Sequence, residues 1–301
     1  MERQACTLGV DIGGTKVAVV VCDERGHVIL EDRTPTAVSG GVDPGLAISL
    51  ELARDVRDRA TAKGLDITGI GVGMPEYVDR NGLVTSHEVV DWVTQPTTLF
   101  EQLGPTWVES DVRCGALAEA TIGAGRELSC FMYVTVGTGL SSSLVIDGKP
   151  WSGHRGEAIA IGELPVEGLG SADGTNLEAY ASGAGMAARY ATHNGAAPAS
   201  RVIDLATKGD TIAQEIVRSS ANALGRALAA MASIVDPEAF VLGGGLGTSG
   251  GEWHSYLVEA YQLALHPRPN PPHLLLAKLM EDSGAVGAAL LPHTDKKDVA
   301  N

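Results

Sequence analysis

Aromatic residues are scarce: Phe, Trp and Tyr together make up 4% of the 301 residues. A core with so few rings must be filled by small and branched side chains, which suits closely packed layers of helix and strand. Cysteine is thin as well. The four residues, Cys6, Cys22, Cys114 and Cys130, are scattered without a CxxC pair, which excludes a disulfide framework and a thiolate zinc site. Positive charge is short: 22 Lys and Arg against 37 Asp and Glu leave a formal net charge of −15, with no basic run. Nucleic acid and anionic membranes are therefore poor partners. No apolar run approaches a membrane span, and no charged-then-apolar leader opens the chain, so the expectation is a soluble cytoplasmic protein.

What the chain does have is glycine at strand ends. Leu8-Gly9-Val10-Asp11-Ile12-Gly13-Gly14-Thr15-Lys16 delivers a carboxylate at the end of an apolar run, then two glycines, a hydroxyl and a cation. The apolar run 17–21 follows, so the pattern is strand, tight turn, strand. That differs from the strand–loop–helix of a dinucleotide fold and lacks the spacing of a P-loop. Gly13 and Gly14 let backbone N–H groups approach an anion, and Asp11 can hold a Mg²⁺ or its water shell against phosphates. An ordinary hairpin turn reads equally well from these residues alone.

Strands are expected at 7–12, 15–22, 27–33 and 67–74, a helix at 44–63, and a further strand at 107–109 running straight into Ser110-Asp111 and a helix over 112–123. Asp111 thus stands where a strand ends and a helix begins, the usual ligand edge of an α/β sheet, although Asp also caps helices there. The second half repeats this grammar. A strand over 132–136 meets Gly137-Thr138-Gly139, then a strand at 144–146. Later a strand at 238–242 meets Gly243-Gly244-Gly245, where close backbone approach to a base or ribose would explain the glycines. Two such hairpins suggest a duplicated domain with phosphates between. Residues 212–235 read as one long helix.

Asp11-Ile12-Gly13-Gly14-Thr15-Lys16, Gly137-Thr138-Gly139 and Gly243-Gly244-Gly245 resemble the two phosphate segments and the adenosine segment of the actin-like ATPase superfamily. More narrowly, the chain resembles the ROK family of bacterial sugar kinases and sugar-sensing repressors, through Glu109-Ser110-Asp111, residues 148–162, residues 177–183 and the closing Gly284-Ala285-Val286-Gly287-Ala288-Ala289. The resemblance implies an α/β fold of two actin-like (ribonuclease H-like) domains with an interdomain cleft: residues 1–108 plus 284–301, and residues 109–283. It implies Asp111 as general base toward a sugar's primary hydroxyl, Asp11 as organiser of Mg²⁺, and ATP held by Gly13, Gly14, Thr15, Lys16, Gly137, Thr138, Gly139, Gly243, Gly244 and Gly245. It also implies a homodimer.

The departures from the family pattern carry information of their own. The family's Glu-x-Gly-His reads as Ala160 and Glu163, and its three-cysteine zinc cluster reads as residues 169–176 without cysteine, so no structural zinc is expected. The usual sugar shell of Asn, Asn, Glu, His and Glu becomes Glu88, Ser110, Ala160, Glu163 and Glu178. A shift of one or two residues would put Glu157 in that shell instead. So altered a shell favours an amino sugar, whose ammonium answers the carboxylates, or a C7-cyclitol over glucose, within a biosynthetic pathway. The competing expectation is a ROK-type sugar sensor without catalysis, and Asp11, Asp111 and the glycine segments speak against it.

Overall fold

The protein's structure, a computed structural model, describes residues 4–37, 43–158, 160–166 and 175–294. The chain opens with a meander of β1 (Gln4–Ile12), β2 (Lys16–Cys22) and β3 (Val28–Pro35), each antiparallel to the one before. The Asp23 carboxylate shapes its second turn by accepting from the N–H groups of Arg25 and His27, both at 2.9 Å. Next come α1 (Pro44–Ala62), β4 (Leu65–Met74), α2 (Pro96–Phe100), β5 (Thr106–Ser110) and α3 (Asp111–Thr121). The first sheet has the order β3-β2-β1-β4-β5, with β4 parallel to both β1 and β5.

The second half supplies β6 (Cys130–Val136), β7 (Leu140–Ile146), β8 (Lys149–Pro150), α4 (Leu177–Ala181), α5 (Gly183–Asn194), α6 (Ala199–Thr207) and α7 (Thr211–Ile234). It continues with β9 (Ala239–Gly243), α8 (Gly244–Gly247), α9 (Gly251–Ala264) and β10 (His273–Leu276), before α10 (Ser283–Leu290) and a 3₁₀ turn, Leu291–His293. The second sheet reads β8-β7-β6-β9-β10, the strand order of the first. In both, the third, fourth and fifth strands in that order are mutually parallel. The first sheet's antiparallel β2 separates this plan from an all-parallel dinucleotide sheet. No helix among the described residues is long and apolar enough to cross a membrane.

Two compact units result: Met1–Ser129, Ser143–Ala158 and Glu281–Asn301 form the first, and Cys130–Ser142 with Ile159–Met280 the second. The reading of the sequence had put residues 109–129 with the second domain. In the structure α3 packs on α10, and α10 on β1 and β4, so α3 shares a core with the first sheet. Strand β2 is buried from Val17 to Cys22, because α1 also packs against it and so does α10. In the second unit, α7 forms the helical centre, packed by α4, α5, α6 and α9.

The seat of α10 is unusually close. A Cβ at Gly71 of β4 would fall 1.7 Å from the Ala288 carbonyl oxygen, and one at Gly287 of α10 would fall 1.7 Å from that of Cys114 in α3. Helix, sheet and neighbouring helix touch backbone to backbone there, so no side chain of any kind can enter. The buried Thr7 hydroxyl adds a bond by donating to the Ala289 carbonyl at 2.7 Å. Gly71→Ala should cost about 1–3 kcal/mol or more through overpacking, read by urea unfolding; an unchanged midpoint would contradict this seating.

Candidate active site

Strands β1, β4 and β5 run parallel and in register, so their carboxyl ends lie side by side. Asp11 pairs with Gly73, Gly73 with Glu109, and Met74 with Ser110. Gly73 separates Asp11 from Asp111: a Cβ there would lie 3.6 Å from both Asp11 Oδ1 and the Asp111 Cα. Both aspartates are half-buried. Burial pushes the Asp111 carboxyl up to about 7, Asp11 and Glu76 add to the rise by repulsion, and the Val112 N–H bond and Arg113 oppose it. Burial likewise pushes Asp11 up to about 6, against the pull of Lys16.

Asp111 is the first residue of α3. Its Oδ1 accepts from the Val112 N–H at 2.6 Å, whereas the cap position belongs to Ser110, whose side chain makes no capping bond. Ser110 Oγ is buried and has no hydrogen-bond partner among the described residues. The start of α3 is fixed by Arg113, which is 4% exposed. Its guanidinium bridges the Glu109 carboxylate, the Val78 carbonyl at 2.5 Å and the Gly156 carbonyl at 2.7 Å. Asp11 meets the start of α10, where Gly284 leaves it room: a Cβ at 284 would fall 2.5 Å from Asp11 Oδ2.

The 13–16 turn closes with the Gly13 N–H donating to the Lys16 carbonyl at 2.9 Å, and Thr36 Oγ1 donates to the Gly13 carbonyl at 2.6 Å. Gly14 and Thr15 are exposed. The Lys16 amine pairs with Glu281 at 2.6 Å, so the cation expected to face a phosphate is here held at the surface. Glu88 lies in an exposed loop next to this turn, since Val89 Cγ1 sits 2.9 Å from where a Gly14 side chain would begin.

In the second unit, the Gly137 and Thr138 carbonyls accept from the first N–H groups of α5, Gly183 at 2.8 Å and Ala184 at 3.0 Å, leaving Thr138 and Gly139 exposed at the tip. Glu178 braces this turn from α4: its Oε2 accepts from the Leu140 N–H at 2.7 Å and lies 2.8 Å from where a Gly139 side chain would begin. Gly243 and Gly244 have a packing reason to be glycine, because Cβ atoms there would strike the Tyr133 hydroxyl at 2.3 Å and the Val136 carbonyl at 2.5 Å. Only Gly245 opens onto free space, and its amide lies 4.0 Å from the Cβ position of Gly137. Glu163 is exposed in a 3₁₀ turn, Ile161–Glu163, packed beside α4.

The segment expected to replace a zinc cluster falls mostly at 167–174, outside the described residues. Among the described residues, no group of three or more His, Cys, Asp or Glu is placed to hold a metal. Mg²⁺ asks for less, since one or two carboxylates with waters and substrate phosphates suffice. Asp11 fits that need: its half-buried carboxylate stands near the end of β1, and the lack of a side chain at Gly284 leaves room for it there.

One feature of the site was missed in the sequence: Glu76, 5% exposed, just past the end of β4. It lies near enough to Asp111 to raise its pKa and receives several hydrogen bonds from residues 86–90. The available signal was its place directly after Pro75, at the carboxyl edge between Asp11 and Asp111.

Two α/β units of one strand order, each with a glycine turn after its first strand, constitute the actin-like ATPase architecture. The chain belongs to the ROK family, matching its pattern over residues 7–295. It is 31% identical to a glucokinase of Streptomyces coelicolor over 314 aligned residues, covering 94% of this chain and 96% of that one. To an N-acetylmannosamine kinase of Escherichia fergusonii it is 30% identical over 299, covering 96% and 99%. Among solved structures, a ROK family glucokinase from Streptomyces griseus, in complex with glucose and AMPPNP, superposes with a TM-score of 0.78 at 28% identity, covering 94% and 98% of the two chains.

The raised Asp111 has a stability consequence. The folded chain keeps a proton on Asp111 up to about pH 7, whereas an unfolded chain releases it near pH ~4. Stability is therefore lost as pH rises between those values and stays lost above them. Asp111→Asn removes the charge, so the variant should have a higher Tm than wild type at pH 8, and the gap should close toward pH 4. A Tm at pH 8 equal to or below wild type would contradict the burial and crowding of the Asp111 carboxyl.

Proposed function

We propose that the chain is an ATP-dependent kinase that phosphorylates the primary hydroxyl of a sugar-like polyol, with an amino sugar or C7-cyclitol preferred to glucose. The observation that carries this reading is Asp111, a carboxyl pushed up to about 7 beside a second aspartate, at the carboxyl edge of the first sheet. A base of that strength accepts a hydroxyl proton better than an ordinary carboxylate and is still substantially ionised at neutral pH. Asp111 takes the proton as the acceptor oxygen attacks the γ-phosphorus and the bond from that phosphorus to the β–γ bridging oxygen breaks, so that ADP leaves. Asp11 is the residue that would hold hydrated Mg²⁺, whose contribution when bound is neutralising charge on the β- and γ-phosphates.

The exposed N–H-bearing tips Gly14-Thr15 and Thr138-Gly139 suit phosphate oxygens, with Gly13 and Gly137 shaping the turns. For the adenosine, the open backbone at Gly245 is the candidate, with Gly243 and Gly244 setting its position. Lys16 serves the phosphates once it leaves Glu281, an exposed pair that holds it only weakly.

For the acceptor, the support is chemical. Glu88 and Glu163 present exposed carboxylates where the family has Asn and His, Glu178 is retained, and Ala160 is smaller than the family's Glu. An ammonium group on the substrate forms charge-assisted hydrogen bonds with such residues. Ser110 Oγ, buried and without a hydrogen-bond partner among the described residues, stands one residue from the base and would be the group to bond an acceptor hydroxyl.

The test is ADP release from Mg·ATP over a panel of hexoses, amino sugars and cyclitols. Amino sugars or cyclitols should exceed glucose in kcat/KM, and Asp111→Asn should lower kcat by about 10²–10⁴ with little change in KM. An Asn variant retaining more than half of wild-type turnover would remove Asp111 from the chemistry. Glucose as best acceptor would overturn the specificity while leaving the kinase.

A further inference from the structure

We infer that Glu76 is a specificity-determining positioning residue of the acceptor site: its buried carboxylate fixes residues 86–90 in the arrangement that presents Glu88 to the acceptor. The inference rests on the kinase reading above. Glu76 follows β4 through Pro75 and is 5% exposed. Its Oε2 accepts from Ser86 Oγ at 2.5 Å and the Glu88 N–H at 2.7 Å, and its Oε1 accepts from the N–H groups of Val89 at 2.8 Å and Val90 at 2.9 Å. Residues 86–90 have no helix or strand of their own, so their consecutive amides find in this carboxylate the acceptor that a ladder would otherwise supply.

The rest of the loop is tied down independently. Trp92 Nε1 donates to the Ser86 carbonyl at 2.8 Å, the His87 ring stacks on Trp92 with centroids 4.3 Å apart, and the Asp43 carboxylate accepts from the Val93 and Thr94 amides. Both ends of the segment are thereby anchored, and the height of Glu88 between them is set by Glu76. The side chain of Glu88 stays in solvent while its own amide points inward.

Only an acceptor-only group satisfies this arrangement. A glutamine has one acceptor atom and one NH₂ donor in the same shape. With its oxygen toward Val89 and Val90, its NH₂ can donate to Ser86 Oγ, because a hydroxyl can turn to accept. It cannot accept from the Glu88 N–H, which is left buried and opposed. The reverse orientation leaves both Val89 and Val90 opposed. In either case the cost of an unpaired buried donor is relieved by moving the loop.

The experiment compares wild type, Glu76→Gln and the milder Ser86→Ala, which removes a single donor. Thermal melting first establishes that each is folded. Steady-state kinetics then use one ammonium-bearing and one neutral acceptor, and amide hydrogen exchange reads residues 88–90 without reference to activity. We expect Glu76→Gln to raise the acceptor KM by about tenfold or more, within the range that displacing a contact group by about 1 Å produces. Its preference between the two acceptors should shrink toward parity, its KM for Mg·ATP should stay near wild type, and the 88–90 amides should exchange faster. Ser86→Ala should move the acceptor terms in the same direction by less.

A folded Glu76→Gln protein with wild-type acceptor KM and preference, or with 88–90 amides as protected as before, overturns the inference. Should Glu76→Gln not fold, Ser86→Ala decides: a raised acceptor KM supports the inference and an unchanged one overturns it. A wild-type protein that phosphorylates no acceptor overturns the kinase reading and the acceptor role together, and the exchange data then show separately whether Glu76 holds the loop.

Discussion

Like charges gathered at one sheet edge are the constraint to which the first unit is fitted. Asp11, Glu76 and Asp111 end three neighbouring parallel strands, and bringing carboxylates together out of water is unfavourable unless each is answered. The protein answers them differently. Glu76 is saturated with donors from residues 86–90 and becomes a structural anion. Asp111 receives one backbone N–H, from Val112, and Asp11 is aided only by Lys16 among the groups that lower its pKa. Burial therefore raises both aspartates, and repulsion adds to it at Asp111, so these are the groups a cation and a proton can answer.

That edge depends on the far end of the chain. Helix α10 lies against β1, β4 and α3 through backbone contacts at Gly71 and Gly287, and its first residues bring Gly284 to the Asp11 carboxylate. Ser283 Oγ donates to the buried Glu119 of α3 at 3.1 Å, and Lys16 and Arg33 reach Glu281 and Asp282. The surroundings of Asp11 thus include Gly284, from the far end of the sequence.

Much of this was legible in the sequence where one physical signal acts alone. Apolar runs and turn residues located β1, β2, α1, β4 and α7 to within a few residues. The strand-to-helix junction placed Asp111 at the carboxyl edge. Reading failed where the cause is tertiary. Ser141, Ser142 and Ser143 look polar, yet they lie inside β7, with Ser142 and Ser143 buried. Gly243 and Gly244 look like ligand-facing glycines, and close packing on Tyr133 and Val136 gives them a second reason that the sequence does not show. Glu76 gave no periodic signal, because its partners are the Ser86 hydroxyl and the backbone amides of residues 88–90, brought to it only by the fold.

The central claim is that the first unit withdraws Asp11 and Asp111 from water, with Asp11 adding repulsion at Asp111. The most direct measurement follows the carboxyl ¹³C shifts of the two residues against pH in the free protein, assigned with single Asn variants. The account predicts both titrations well above the ordinary carboxylate range, near 6 for Asp11 and near 7 for Asp111, with Asp111 moving down when Asp11 is replaced. Titration of both at about 4, as for solvated aspartates, would contradict it.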